Sequence, residues 1–258
     1  MQFLSIDLET TGTKPEEGHQ ILEVGIVIGD LSNTPVENLP TFHCYVKNPT
    51  LIGEARALEM NARILTKAQT EGIAPANVSA KIHQFLSEHF IRDWLCKHEH
   101  DQFDYPEQRA EMAQSAFQKH SYTPAGKNYG GFDLQFLKKL PKWGGINVKR
   151  RAIDPSLWFW RPGDDGMPDS QTCMERAGLP GNVKHDAVGD AQMVVQLIRR
   201  GSKMNEAMEV LRSLMTNPNI NLGDQICAIR EREGMGWEGP SAQAWSDAVT
   251  RAEALLKC

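Results

Sequence analysis

The chain has 258 residues, 40% hydrophobic and 24% charged, with a formal net charge of −5; that length suits one large domain, or one domain with an appendage, and leaves room for a sizeable core. The acidic balance argues against a protein that coats nucleic acid through a general basic surface, and the absence of an apolar run of about 18 residues argues against a helical membrane span. The five cysteines, Cys44, Cys96, Cys173, Cys227 and Cys258, are widely spaced with no C-x-x-C, which argues against a disulfide framework or a structural zinc site and favours a reducing cytoplasm.

The N-terminus has no basic region ahead of its short apolar run, so residues 2–8 read as a core strand and not as a signal peptide. Ile21 to Ile28 is rich in β-branched residues and ends at Gly29, and Thr41 to Val46 is a third strand. The short gaps between them, rich in Pro, Asn and Gly, predict a three-stranded meander. Ser79 is expected to cap a helix carrying Ile82, Phe85, Leu86, Phe90 and Trp94 on its apolar positions. Residues 96–121 are polar and rich in histidine and read as an insertion. Tyr122 to Lys127 is a short strand, and Phe132 to Leu140 a helix with Phe132, Phe136, Leu137 and Leu140 on one face. Arg151 to Asp154 is another short strand, and Asp154-Pro155 opens a helix, with Asp154 as its cap. Ala187 to Arg199 is a helix with Ala187, Ala191, Val194, Val195 and Ile198 inward. Strands first, then alternating strands and helices, imply an α/β fold with a mixed sheet. Beyond about residue 202 lies a tail. Met204, Ala207, Met208, Leu211 and Met215 mark one amphipathic helix. Trp245, Val249, Ala252 and Leu256 mark a second, after a glycine-rich break from Gly234 to Pro240.

Three short motifs carry chemistry. Asp7 and Glu9 are two apart at a strand end, so both side chains share one face. Acids side by side repel unless a positive charge sits between them, and hard oxygen ligands suit Mg²⁺ or Mn²⁺. Two solvated acids at a strand end would look the same. Asp133 follows the turn Gly126 to Phe132 and opens a helix, where an acid also simply favours the helix dipole. Asp190 lies early in an apolar-striped helix with His185 just before it, which by itself suits a helix entrance equally well.

Together, in this order and at these separations, the motifs resemble the DEDDh exonucleases. The family's D-x-E-T-T-G stands here as Asp7 to Gly12. Its Asn followed by Phe-Asp and a hydrophobic pair stands as Asn128, Phe132-Asp133 and Phe136-Leu137. Its His-x-Ala-x-x-Asp stands as His185, Ala187 and Asp190. The resemblance covers roughly residues 1–200 and implies a ribonuclease H-like fold, a mixed central sheet flanked by helices. Residues 201–258 are then a helical C-terminal extension of unassigned role, suited to attach a second copy of the chain or a polymerase-associated partner. It further implies that Asp7, Glu9, Asp133 and Asp190 hold two Mg²⁺ or Mn²⁺ ions, with His185 as general base: a neutral imidazole accepts protons near pH 7. The expected substrate is a single-stranded or frayed DNA 3′ end, cut in the 3′→5′ direction. Thr10, Thr11, Gly12, Met60, Asn61 and Asn128 are the expected substrate contacts. An exoribonuclease acting on short RNA, or a catalytically silent nucleic-acid-binding scaffold, are the alternatives. Lys138, Lys139, Lys142, Lys149, Arg150 and Arg151 form a basic cluster suited to phosphates. Trp143, Trp158 and Trp160 are candidates to stack on bases, at least two of them being expected in the core.

Overall fold

The computed structural model of the chain describes residues 1–101, 105–181 and 185–216. Residues 1–205 form one compact unit and residues 206–258 a second. The first contains a four-stranded mixed sheet in the order β3-β2-β1-β4. β1 (Gln2–Thr10), β2 (Ile21–Asp30) and β3 (Thr41–Tyr45) form the expected antiparallel meander, and β4 (Pro124–Ala125) pairs parallel to β1. The strands expected around 122–127 and 151–154 are short: a parallel bridge from Ala125 to Ile153 and another from Tyr122 to Val148 extend the sheet beyond β4.

The weak alternation of β1 has a physical cause: the strand is covered on both faces. Leu4, Ile6 and Leu8 point with Val24, Ile26 and Ile28 of β2 into one core, shared with Ile82 and Leu86 of α3 (Pro75–Lys97) and Phe136 and Leu137 of α5 (Asp133–Leu137). Phe3 and Val27 point the other way, into a core with Ala191, Val194, Val195 and Ile198 of α8 (Ala187–Thr216). Fully burying each such side chain is worth ~1.5–3 kcal/mol, so β1 is gripped from two sides along its length.

Several expectations shift. The helix placed at Ser79 begins at Pro75, because proline presets the helical φ of the first turn and lacks only an N–H that the turn does not use; Ser79 is buried inside it. Within 96–121, α4 (Pro106–Lys119) packs on α3, with Ala113 and Phe117 buried and the Phe117 ring 5.6 Å from that of Phe90. This polar segment is therefore an amphipathic helix with a narrow apolar stripe. The helix expected on Met204 and the residues after it is no separate element but the continuation of α8 to Thr216. The break at Gly234 to Pro240 and the Trp245 helix lie outside the described residues.

Candidate active site

Asp7 and Glu9 lie on the β1 face that looks toward α8, together with Ser5. Three features draw α8 down onto that face. The Ser5 hydroxyl donates to the Ala191 carbonyl at 2.7 Å. Gly25 stands opposite Asp7 in the β1–β2 register, and a Cβ there would overlap the Ala187 carbonyl. The Glu23 carboxylate accepts the Ala187 N–H at 3.2 Å. Asp186 closes the helix entrance: its Oδ1 accepts the Gly189 N–H at 2.7 Å and its carbonyl the Asp190 N–H at 2.9 Å. His185, just ahead, adopts a left-handed φ of 51° and is exposed. The outcome is that Glu9, His185 and Asp190 each present a ligand atom, all within 4.8 Å of one another.

Asp133 reaches the same place from α5, whose first residue it is. Its carboxylate is held by its own backbone N–H and by that of Leu8 on β1. The preceding loop is shaped by Asn128, at φ 55°, whose carbonyl accepts the N–H groups of Gly131 at 3.0 Å and Phe132 at 2.9 Å. Asp154 supports that loop: Oδ2 accepts the Asn128 N–H at 3.0 Å, while Oδ1 accepts the Ser156 N–H at 2.9 Å. The expected cap thus has a second duty in the site's foundation.

Negative charge is concentrated here. Glu9 and Asp133 are buried at 8% and 3% exposure, and loss of hydration is the largest cause pushing each pKa up to about 7. Asp7 retains some exposed surface, yet it too is raised well above the carboxylate range. Loss of hydration is again the first cause, followed by the charges of Asp133, Asp190, Glu9 and Glu23, all negative. Four carboxylates brought together from three segments are a poor arrangement for a protein in water alone. They are a good one for hard divalent cations, and the donor set fits Mg²⁺ or Mn²⁺.

The remaining candidates separate. Thr10, Thr11 and Gly12 turn inward. The Thr10 hydroxyl donates to the Gly12 carbonyl at 2.8 Å. The Thr11 N–H donates to Gln20 at 2.9 Å, and its hydroxyl both donates to Ile52 at 2.5 Å and accepts from the Gln20 N–H at 2.8 Å. A Cβ at Gly12 would overlap the His19 ring. These side chains fasten the loop after β1, so any contact of this loop with a substrate would run through its backbone. Met60, ending α1 (Ala55–Met60), is 58% exposed, whereas Asn61 is buried and donates to the Thr10 carbonyl at 3.0 Å. Asn128 is exposed, as are all six residues of the basic cluster. Trp143 is buried and Trp158 packs on two cores, while Trp160 is 46% exposed.

Two participants escaped the sequence reading. Glu23 is 3% exposed, and its Oε1 lies 2.6 Å from Nε2 of His43. An acid inside the apolar run Ile21–Ile28 was the available signal, since a buried glutamate needs partners. Asp186 as helix cap had a weaker signal in its position directly before the apolar stripe.

The exonuclease family profile RNase_T matches residues 4–198. No curated protein matches the chain. Among solved structures, an exonuclease I shares the fold at TM-score 0.54 and 14% identity, over 83% of this chain and 43% of that one. E. coli exonuclease I in complex with a 5cy-dA13 oligonucleotide aligns at TM-score 0.52 and 15% identity, over 82% of this chain and 43% of that one. The nuclease domain of 3′hExo, a DEDDh family member bound to rAMP, aligns at TM-score 0.50 and 15% identity, over 79% of this chain and 92% of that one. The chain thus spans less than half the length of the exonuclease I chains.

Proposed function

The chain belongs to the RNase_T exonuclease family, and from that premise we propose that it is a divalent-metal-dependent 3′→5′ exonuclease releasing nucleoside monophosphates from single-stranded or frayed DNA ends. The observation that carries this reading is the cluster of Glu9, His185 and Asp190, whose ligand atoms lie within 4.8 Å of one another, with Asp7 and Asp133 near enough for their charges to act on the same group of acids. A nucleic-acid end as substrate agrees with the oligonucleotide held by E. coli exonuclease I and the rAMP held by the 3′hExo nuclease domain.

Asp7, Glu9, Asp133 and Asp190 would hold the metal, Mg²⁺ or Mn²⁺ in two positions. When bound, such ions supply an activated water and offset the charge that grows on the leaving oxygen. His185 takes the proton from the attacking water as the new P–O bond forms and the bond to the 3′ oxygen of the adjoining nucleotide breaks. Its exposure leaves the proton an exit to solvent. Glu9 would meet the terminal 3′ hydroxyl. Met60 offers an apolar face to the terminal base, with Asn61 as its buried foot, and Asn128, exposed on the loop that leads into Asp133, is a further contact. Lys138, Lys139 and Lys142 follow directly after α5 and are placed to meet phosphates farther along the strand.

The test is a time course on matched 5′-labelled DNA and RNA oligonucleotides, with and without Mg²⁺, beside a circular single strand. Mg²⁺-dependent shortening of the linear DNA by single nucleotides, with the circle intact, is expected. Faster loss of RNA would assign an exoribonuclease of short RNA. Degradation in EDTA or rapid cutting of the circle would overturn the reading, and no turnover with any metal would leave a silent nucleic-acid-binding scaffold.

A further inference from the structure

Glu23 is an expensive residue where it stands. It lies in a central strand, 3% exposed, directly across the β1–β2 pair from Glu9. Its charge is one of those that raise the pKa of both Asp7 and Glu9. An apolar side chain of similar volume would pack there with no desolvation penalty. What the carboxylate does is divide its two oxygens between two elements. Oε1 meets His43 Nε2 on β3 at 2.6 Å, and Oε2 accepts the N–H of Ala187, the first residue of α8, at 3.2 Å. Both oxygens are engaged, and Glu23 is not among the residues whose ligand atoms cluster, Glu9, His185 and Asp190. Ala187 sits between His185 and Asp190, so the bond reaches the segment that delivers both.

We infer that Glu23 is a positioning residue: it clamps the N-terminus of α8 to β2 and thereby sets where Asp190 and His185 stand relative to Glu9, while His43 orients the clamp from the sheet's outer strand. The inference deepens the exonuclease reading and rests on it for turnover, but its effect on metal binding is independent of any substrate.

The experiment uses the full chain as wild type, Glu23→Ala, Glu23→Gln and His43→Ala. It measures Mn²⁺ binding by calorimetry without nucleic acid, kcat and KM on a single-stranded oligonucleotide, and thermal melting. Groups one shell behind metal ligands change affinity or activity by about 10–100-fold when removed. Glu23→Ala is therefore expected to lower kcat by about tenfold or more and to weaken Mn²⁺, with KM nearly unchanged. Glu23→Gln keeps an oxygen for the Ala187 N–H and should recover most of the kcat. His43→Ala should give a smaller loss in the same direction. If Glu23→Ala melts earlier but keeps wild-type kcat and Mn²⁺ affinity, Glu23 is merely structural and the inference falls. It falls equally if Glu23→Gln is as impaired as Glu23→Ala. Should Glu23→Ala not fold, His43→Ala decides: reduced kcat supports the clamp and unchanged kcat overturns it. A wild type without turnover would sink the exonuclease reading alone, and the Mn²⁺ comparison would still decide the clamp.

Discussion

Asn61 Nδ2 donates to the Thr10 carbonyl at 3.0 Å across 51 residues of sequence, and the same amide beside the Glu9 carboxylate is the influence that pulls this group's pKa down against burial and its acidic neighbours. Asn61 thus keeps Glu9 ready to ionise. Asn61→Ala should raise the Glu9 pKa further, and metal binding needs the ionised form. Calorimetry is expected to show a Mn²⁺ affinity loss of about tenfold below pH 7, shrinking at alkaline pH. A loss independent of pH would refute the argument.

Metal-free stability should fall as pH rises. In the folded chain Glu9 and Asp133 hold their protons up to about 7, against ordinary values of 4.5 and 3.8. Between those limits the native state binds more protons than the unfolded one, so each step upward in pH favours unfolding. Above about 7 the penalty is complete. Melting of EDTA-treated protein is therefore expected at higher temperature near pH 5 than near pH 8, with Mg²⁺ restoring the loss. The opposite slope would count against a cluster of unneutralised acids.

His185 lies close enough to Glu9 and Asp190 to be a ligand as well as a base, and the two roles are separable. As a base, His185→Ala should lower turnover by about 10²–10⁴-fold and spare Mn²⁺ affinity, whereas Asp190→Asn should weaken Mn²⁺ binding itself. Equal metal loss in both variants would make His185 a ligand.

Gly25→Ala should push α8 off the sheet, because the new methyl overlaps the Ala187 carbonyl. Overpacking of this kind costs about 1–3 kcal/mol. Gly144→Ala, with nothing within 4 Å of its Cβ, is the matched control. Lower melting temperature and weaker Mn²⁺ binding are expected for Gly25→Ala only, and an unaffected Mn²⁺ affinity would show that α8 tolerates the shift.

A chain ending at Asn205 should retain metal-dependent activity, since it holds the whole first compact unit. One ending at Arg200 removes Gly201, which lies against the Trp158 ring. It is expected to melt earlier at equal metal affinity. Comparison of the two by thermal melting and calorimetry places the boundary, and loss of metal binding in the longer chain would refute it.

What could be read from the sequence divides along physical lines. The meander and the α8 stripe were legible because each has strong local periodicity. The acids were legible because three spacings coincide. Glu23 was not, because a strand covered on both faces reads as one apolar run, and the Glu23–His43 bond crosses strands that only the folded register aligns. Ser79 misled because a capping residue and a buried helical serine differ only in context, and Pro75 four positions earlier already fixed the start. The loop from Thr10 to Gly12 was legible as a motif, but the bond that ties Thr11 to Ile52 was not, because it spans 41 residues. The polar segment around α4 hid its two buried residues, Ala113 and Phe117, among charged neighbours.

The Ser5 hydroxyl meets the Ala191 carbonyl across 186 residues of sequence, and Glu23 meets Ala187 across 164. Nothing near the N-terminus can supply those partners earlier. While the chain is being synthesised, Asp7 and Glu9 leave the ribosome long before the helix that completes their surroundings. Closing so long a loop is slow compared with forming a local helix or hairpin. A nascent chain, or one released by an early stop before Asp190, therefore carries acids that cannot assemble into a centre. Under the reading above, a degradative activity would be withheld from every product that stops short of Asp190, without any inhibitor, by the order in which the chain is made.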